Sequence, residues 1–416
     1  MIGNLILVSI LVGVISGIFI TIYGLLTKWL SVLLFLGDPI QTLSTLPIWY
    51  IYLIPTTAIL IVNYLILKYP SIKEYGVSEI SQAIEENKLN FNIKELFVKI
   101  FASSLSIASG FAIGNEGPSA AIGAMIASKI HQFRKLPKEL LKVSISIGAS
   151  SGIAAIFVSP ITGIMFAIEN IAYDFVKNFS GYLILGSVLS FSIAYHFLEP
   201  LIFNYSTGKL IEYRYIIATF LFIPIMTFFI YFYLTLKTKV LKMLNNKILE
   251  KYEKYRHIIF AIIGGGVIGT IMIINPYAAF SGHEIIKILI NNSFHLPLWI
   301  IFIIIVLRII ATSVSLYANA IGGVFIALMS IGALVGYGFA EMINHIIHLG
   351  IEPFYFAAIG SAVFMGVNMK LPLTAIVLAL ETTYDYNVII PTGISVVIIS
   401  YLASLNFNLK KYRGIS

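Results

Sequence analysis

The chain has 416 residues, 59% of them hydrophobic and only 11% charged, with a mean hydropathy of +0.94; a soluble domain carries roughly 25% charged residues, so this is the composition of a polytopic membrane protein. It contains no cysteine, which excludes disulfides, thiolate metal sites and cysteine nucleophiles. The net charge of +8 and pI near 9.3 are read as topology rather than as a nucleic-acid surface, because Lys and Arg in short loops mark the cytoplasmic side of a membrane protein.

Residues 1–36 are too long an apolar stretch for a signal peptide and lack its small-residue cleavage site, so they read as the first membrane helix. A span needs about 20 apolar residues. Runs of that order lie near 5–36, 47–67, 96–113, 182–203, 215–236, 258–274, 298–316 and 387–405. Between them, shorter pieces near 117–131, 143–158, 161–175, 323–343, 354–368 and 371–381 are interrupted by Gly and Pro. Short, broken helices persist at membrane depth only where they are buried in protein or line a pathway, which predicts a channel or transporter. Lys and Arg gather at 129–142, 237–256 and 410–413, and the positive-inside rule places the first group in the cytoplasm.

The chain repeats itself. Pro160 to Glu169 parallels Pro372 to Glu381 at an offset of 212, which Gly148 and Gly360 also keep. Ile122-Gly123-Ala124 parallels Ile331-Gly332-Ala333 at an offset of 209, which places Gly114 on Gly323 and Glu116 on Phe325. The polar stretch from Asn204 to Arg214 is the natural join, giving halves 1–206 and 207–416. Two homologous halves predict a transporter with its site between them near the membrane midplane.

Glu116 is the candidate at the centre of that site. It is a lone acid in Gly114-Asn115-Glu116-Gly117-Pro118, between apolar runs, and an ionisable group at membrane depth is functional by default. Gly117-Pro118 reads as the opening of a helix, where Pro costs little. Free N–H groups and the positive dipole end attract anions there, so a carboxylate at this position competes with a mobile anion for one seat. Gly323-Val324-Phe325-Ile326 would contribute a second helix start from the other half. Taken alone, each Gly-rich start reads first as a close-packing device; their pairing by the internal repeat reverses that order.

With these residues in hand, the chain resembles the CLC family of chloride channels and chloride/proton antiporters over nearly its whole length. Gly114 to Pro118 is similar to the family's G(K/R)EGP, and Gly322 to Ala327 to its GGIFAP, with Ala327 in place of the proline. Arg308 and Thr312 resemble the K-x-x-x-T stretch leading into the second motif. The helices opening at Pro160 and Pro372 resemble the paired P-L-[TA]-[GA] helices, and Tyr412, 21 residues after Pro391, resembles the pore tyrosine. The resemblance implies an all-α fold of two inverted-topology repeats of tilted and broken helices, with the pore-tyrosine helix closing the second half. It implies a cell-membrane, multi-pass protein that moves chloride, most simply in exchange for protons.

The resemblance also implies residue roles. Glu116 is the gate and proton carrier. Backbone N–H groups at Gly117, Val324, Phe325 and Ile326 and the hydroxyl of Tyr412 hold the anion. No cofactor is expected beyond chloride as the bound substrate ion, and the partners implied are protons, lipid and a second copy in a homodimer. Three departures stand out. Tyr75-Gly76 replaces a serine-glycine pair of the anion path, so Tyr75 either donates its phenol to the anion or packs the inner vestibule. Asn170 stands where antiporters usually carry an internal proton-transferring glutamate, and asparagine does not titrate. Glu169 beside it points about 100° away on a helix, and with its repeat mate Glu381 reads as a structural helix-end carboxylate. The chain ends at Ser416, which gives the expectation of a form without a cytoplasmic nucleotide-binding domain.

Rival readings are an uncoupled chloride channel, a transporter preferring fluoride or nitrate, and an intramembrane serine protease. The last rests on Ala149-Ser150-Ser151-Gly152, for which a nearby histidine base would be required. His345-x-x-His348 lacks a third converging metal ligand and reads as a loop or interface pair.

Overall fold

A computed structural model describes residues 2–73, 92–172, 176–200, 212–244, 255–290 and 296–412. Among these are fifteen helices of eight or more residues. In the first half they are α1 (Ile2–Phe35), α2 (Ile48–Lys68), α3 (Ile93–Ala108), α4 (Glu116–Phe133), α5 (Leu141–Phe157), α6 (Pro160–Ala167) and α7 (Val176–Ala194). The second half holds α8 (Tyr213–Leu244), α9 (Arg256–Ile274), α10 (His283–Ile290), α11 (Leu298–Tyr317), α12 (Phe325–Ile347), α13 (Pro353–Met369), α14 (Pro372–Thr383) and α15 (Ile389–Tyr412). Eight helical stretches are long and apolar enough to cross a membrane. The described residues contain no β-strand, only an isolated antiparallel bridge between Gly114 and Gly323.

By packing, the chain forms two units. One comprises Met1–Leu201, Val240–Gly282 and Ile310–Ala327, and the other Ile202–Lys239, His283–Ile309 and Leu328–Ser416. In the first unit, α5 lies against α1, α4, α6 and α7, and α2 lies against α3 and α9. In the second, α13, α14 and α15 pack mutually and α10 rests on α13. The first unit contains both Gly-rich helix starts.

The repeat is carried down to helix caps and crossings. α5 ends at Val158 (φ +53°) and α13 at Lys370 (φ +60°), positions 212 apart. A left-handed residue other than Gly costs of order 1–3 kcal/mol, and in both caps the same backbone bonds hold it. Ser159 N–H donates to Ala154 O at 3.0 Å and Leu371 N–H to Gly366 O at 2.8 Å, closing each helix with a six-residue turn before the next helix opens on Pro160 or Pro372. The crossings correspond as well. Gly123 meets Gly148 where α4 crosses α5, and Gly332 meets Gly360 where α12 crosses α13; a Cβ on any of the four would overlap its partner's carbonyl oxygen. At the next crossing the halves swap small residues: Ala154 faces Gly163 in one, and Gly366 faces Ala375 in the other.

These contacts correct the reading of five elements. The pieces near 117–131, 143–158, 323–343, 354–368 and 371–381 are not broken: α4, α5, α12, α13 and α14 each run continuously, the first four through Gly123, Gly148, Gly152, Gly332, Gly336, Gly360 and Gly366. Their glycines let backbones approach, as small residues do in membrane interiors. Two other apolar runs differ from their helices. α3 stops at Ala108 although apolar residues continue to Ile113, because the extended segment that follows is buried in protein rather than exposed to lipid. α7 begins earlier than its run, at Val176, and ends at Ala194.

Candidate functional site

The two Gly-rich segments are pinned to each other. Gly114 N–H donates to Gly323 O and Gly323 N–H to Gly114 O, both at 2.7 Å, so repeat mates pair antiparallel, as a local inversion requires. Two residues later in each case a helix opens: α4 at Glu116 and α12 at Phe325. The closeness depends on glycine. A Cβ on Gly323 would stand 2.8 Å from Gly117 N and 3.3 Å from Gly117 Cα, and one on Gly114 would occupy the space of the Glu116 carboxylate and Ile326.

Asn115 precedes α4 without a side-chain capping bond, so the first-turn N–H groups remain available to another acceptor. The Glu116 carboxylate is the group that turns onto them. It is 2% exposed and lies within hydrogen-bonding reach of its own N–H and that of Ile326 on the other helix start, while Oε2 is buried without a partner. One carboxylate thus spans the openings of both helices, at the positive ends of two dipoles. Gly117, Gly323 and Val324 are half-buried around it. Phe325, the repeat mate of Glu116, turns away instead. It is 2% exposed and its ring lies 4.9 Å from that of Phe157 and 6.4 Å from that of Phe166, walling the site with hydrocarbon.

The structure brings Glu116, Gly117, Val324, Phe325 and Ile326 together. α15 runs to Tyr412, whose side chain lies outside the described residues, as do Tyr75 and Gly76 entirely. Asn170 sits in the π-helical stretch Ile168–Ala172 that extends α6, where its Nδ2 donates to Phe166 O at 3.3 Å. Arg308 is fully buried on α11, and Thr312 is buried with its hydroxyl unpartnered.

One pattern escaped the sequence reading. Lys99 and Ser103 precede Glu116 by the intervals at which Arg308 and Thr312 precede Phe325, so the K-x-x-x-T element also exists in the first half, as Lys99-x-x-x-Ser103. Lys99 is buried and donates to Ile72 O at 2.9 Å. The 209 offset carries the signal for it upstream of Gly114, since it places Lys99 on Arg308 and Ser103 on Thr312.

The protease reading finds no support in the Ser150-Ser151 geometry. Ser150 and Ser151 donate to Ile147 O at 3.0 and 2.7 Å, bonds along their own helix, and His131 pairs with Ser144 at 3.0 Å instead. No group of metal-ligating side chains occurs among the described residues.

The chain matches the family model described as voltage gated chloride channel over residues 58–404. It is 25% identical over 369 residues to the H(+)/Cl(-) exchange transporter ClcA of Vibrio campbellii, covering 86% of this chain and 78% of the relative. With the protein of the same name from Salmonella paratyphi B it shares 26% over 364 residues, 83% of this chain and 73% of that one. Among solved structures it superposes on a slow cyanobacterial Cl-/H+ antiporter with a TM-score of 0.83 at 21% identity, covering 97% and 94% of the two chains. On a CLC-type fluoride/proton antiporter the TM-score is 0.75 at 18% identity, covering 96% and 95%. The chain belongs to the voltage gated chloride channel family and is a multi-pass membrane protein with a CLC transporter fold.

Proposed function

We propose that this protein exchanges chloride for protons across the membrane, with Glu116 serving as both gate and proton carrier. The observation that carries the reading is the seat of the Glu116 carboxylate, across the N–H groups of two helix starts. An ionised carboxylate and a chloride ion ask the same donors for the same bonds, so they exclude one another. Protonation removes the charge that holds the side chain there, and the anion takes its place; the departing side chain takes the proton with it. Neutral N–H donors suit this work, because a fixed cation at the same point would bind chloride too tightly for flux. The hydroxyl of Tyr412 and the N–H groups of Val324 and Phe325 would complete the anion's shell. The names of the relatives, H(+)/Cl(-) exchange transporters, support the substrates. Family membership supports a homodimer with one pathway in each subunit.

Asn170 favours a second reading, an uncoupled chloride channel, because the amide does not titrate and is already engaged with Phe166 O. The two readings separate in proteoliposomes loaded with chloride, with chloride efflux and external pH recorded together after a potassium ionophore is added. Exchange predicts chloride efflux with alkalinisation outside, and shows that Asn170 is no barrier to protons. Chloride efflux without a pH change establishes the channel. Absence of chloride flux, with fluoride or nitrate moving instead, reassigns the substrate.

A further inference from the structure

Ser106 on α3 and Ser315 on α11 do the same two things in the two halves. Ser106 Oγ donates to Ala102 O at 2.8 Å and accepts the N–H of Ile321 at 3.2 Å. Ser315 Oγ donates to Ala311 O at 2.7 Å and accepts the N–H of Ala112 at 2.9 Å. Each residue in the first set has its mate in the second at the 209 offset. The exchange is crosswise: the serine of each half holds the segment leading into the other half's helix start. Two residues further on, Gly114 and Gly323 trade their own pair of bonds. Four reciprocal bonds therefore clasp the segments Ala112–Gly114 and Ile321–Gly323, immediately ahead of Glu116 and Phe325. The Ile321 side has an extra hold, since Ser103 Oγ donates to Ile321 O at 2.9 Å and is itself 2.6 Å from Tyr23 Oη. Ser103, Ser106 and Ser315 are all fully buried.

From this clasp, and resting on the anion-site reading above, we propose that Ser106 and Ser315 are positioning residues that set the separation of the two N–H rims and so the size of anion they accept. The extended segments have no helix or sheet of their own to fix them. Only three residues separate Ala112 from Glu116 and Ile321 from Phe325, so a shift at either anchor is passed to the donors. Removing one hydroxyl leaves a buried N–H without its acceptor, which the segment relieves by moving. The rims then spread, and an anion larger than chloride gains.

The test is calorimetric titration of chloride and of nitrate into the purified full-length protein and into Ser106→Ala and Ser315→Ala, with thermal unfolding followed alongside. Ser187→Ala is the control, because its hydroxyl is equally buried and donates to Ser150 Oγ at 3.0 Å. The clasp predicts that each alanine variant shifts the nitrate-to-chloride affinity ratio toward nitrate by about fivefold, the weight of one ordinary hydrogen bond, and that Ser187→Ala does not. Ser106→Cys and Ser315→Cys fill the same space with a weaker acceptor and give a smaller shift of the same sign; they carry the test if the alanine variants do not fold. Unchanged ratios in variants that fold, with only the loss of thermal stability that Ser187→Ala also shows, overturn the clasp alone. Binding of neither anion by the unmodified protein overturns the anion-site reading and the clasp with it.

Discussion

The two helix starts are nearly the same backbone with opposite chemistry. Ser109 and Ala318 donate to Leu105 O and Val314 O, Gly110 (φ +103°) and Asn319 (φ +62°) make the same left-handed bend, and Gly114 and Gly323 bridge. At the next equivalent position Glu116 bends onto the N–H donors while Phe325 packs against Phe157 and Phe166. Duplication supplies two converging donor sets, and in the proposed reading a single side chain makes only one of them a gate. A symmetric pair of acids would place two like charges on one anion site, which an apolar, water-poor interior does not tolerate.

The comparison can be broken at four depths. The largest effect is expected from Gly323→Ala, because the added carbon meets the backbone of Gly117 rather than a movable side chain. Chloride flux should fall about a hundredfold, as for a misplacement of order 1 Å at a positioned site, in protein that remains monodisperse. Phe325→Glu makes the halves alike. It should lower chloride flux at neutral pH about tenfold and steepen its recovery as pH falls and one carboxylate is neutralised; flux and pH dependence equal to those of the unmodified protein would show that position 325 does not face the anion. Gly123→Leu and Gly332→Leu probe the matched crossings, and each should destabilise the protein by about 1–3 kcal/mol through overpacking, seen in detergent unfolding, with the two effects similar. The smallest effect is expected from Asn170→Gln. A longer neutral amide should alter the proton-to-chloride ratio by less than about twofold, since neither amide titrates.

Much of this was legible in the sequence. The lone acid before Gly117-Pro118, the 209 offset onto Phe325 and the paired Pro160 and Pro372 helices point to the candidate site and the repeat. A carboxyl group is too costly at membrane depth to persist without a use, and Pro marks where an apolar helix can begin. Helix continuity was less legible. Gly148, Gly152, Gly332 and Gly336 look like breaks by composition and act as contact points in the structure, since in an apolar interior a helix keeps its hydrogen bonds and glycine's missing side chain becomes packing space. The serine exchange was hidden for another reason. A serine within an apolar helix ordinarily bonds its own i−4 carbonyl, as Ser106 and Ser315 do, and its second bond to a distant N–H follows from three-dimensional approach rather than local pattern.

Glu116→Gln tests the central claim most directly, with chloride efflux and external pH recorded in the same liposomes across pH. Glutamine keeps the size and polarity of the side chain but carries no charge at any pH. In the unmodified protein, chloride flux should rise as pH falls, because protonation frees the site, and protons should move against chloride. In Glu116→Gln, chloride flux should persist, lose its pH dependence and move no protons. Proton movement retained in that variant, or chloride flux that still rises as pH falls, would contradict the assignment of Glu116 as gate and proton carrier.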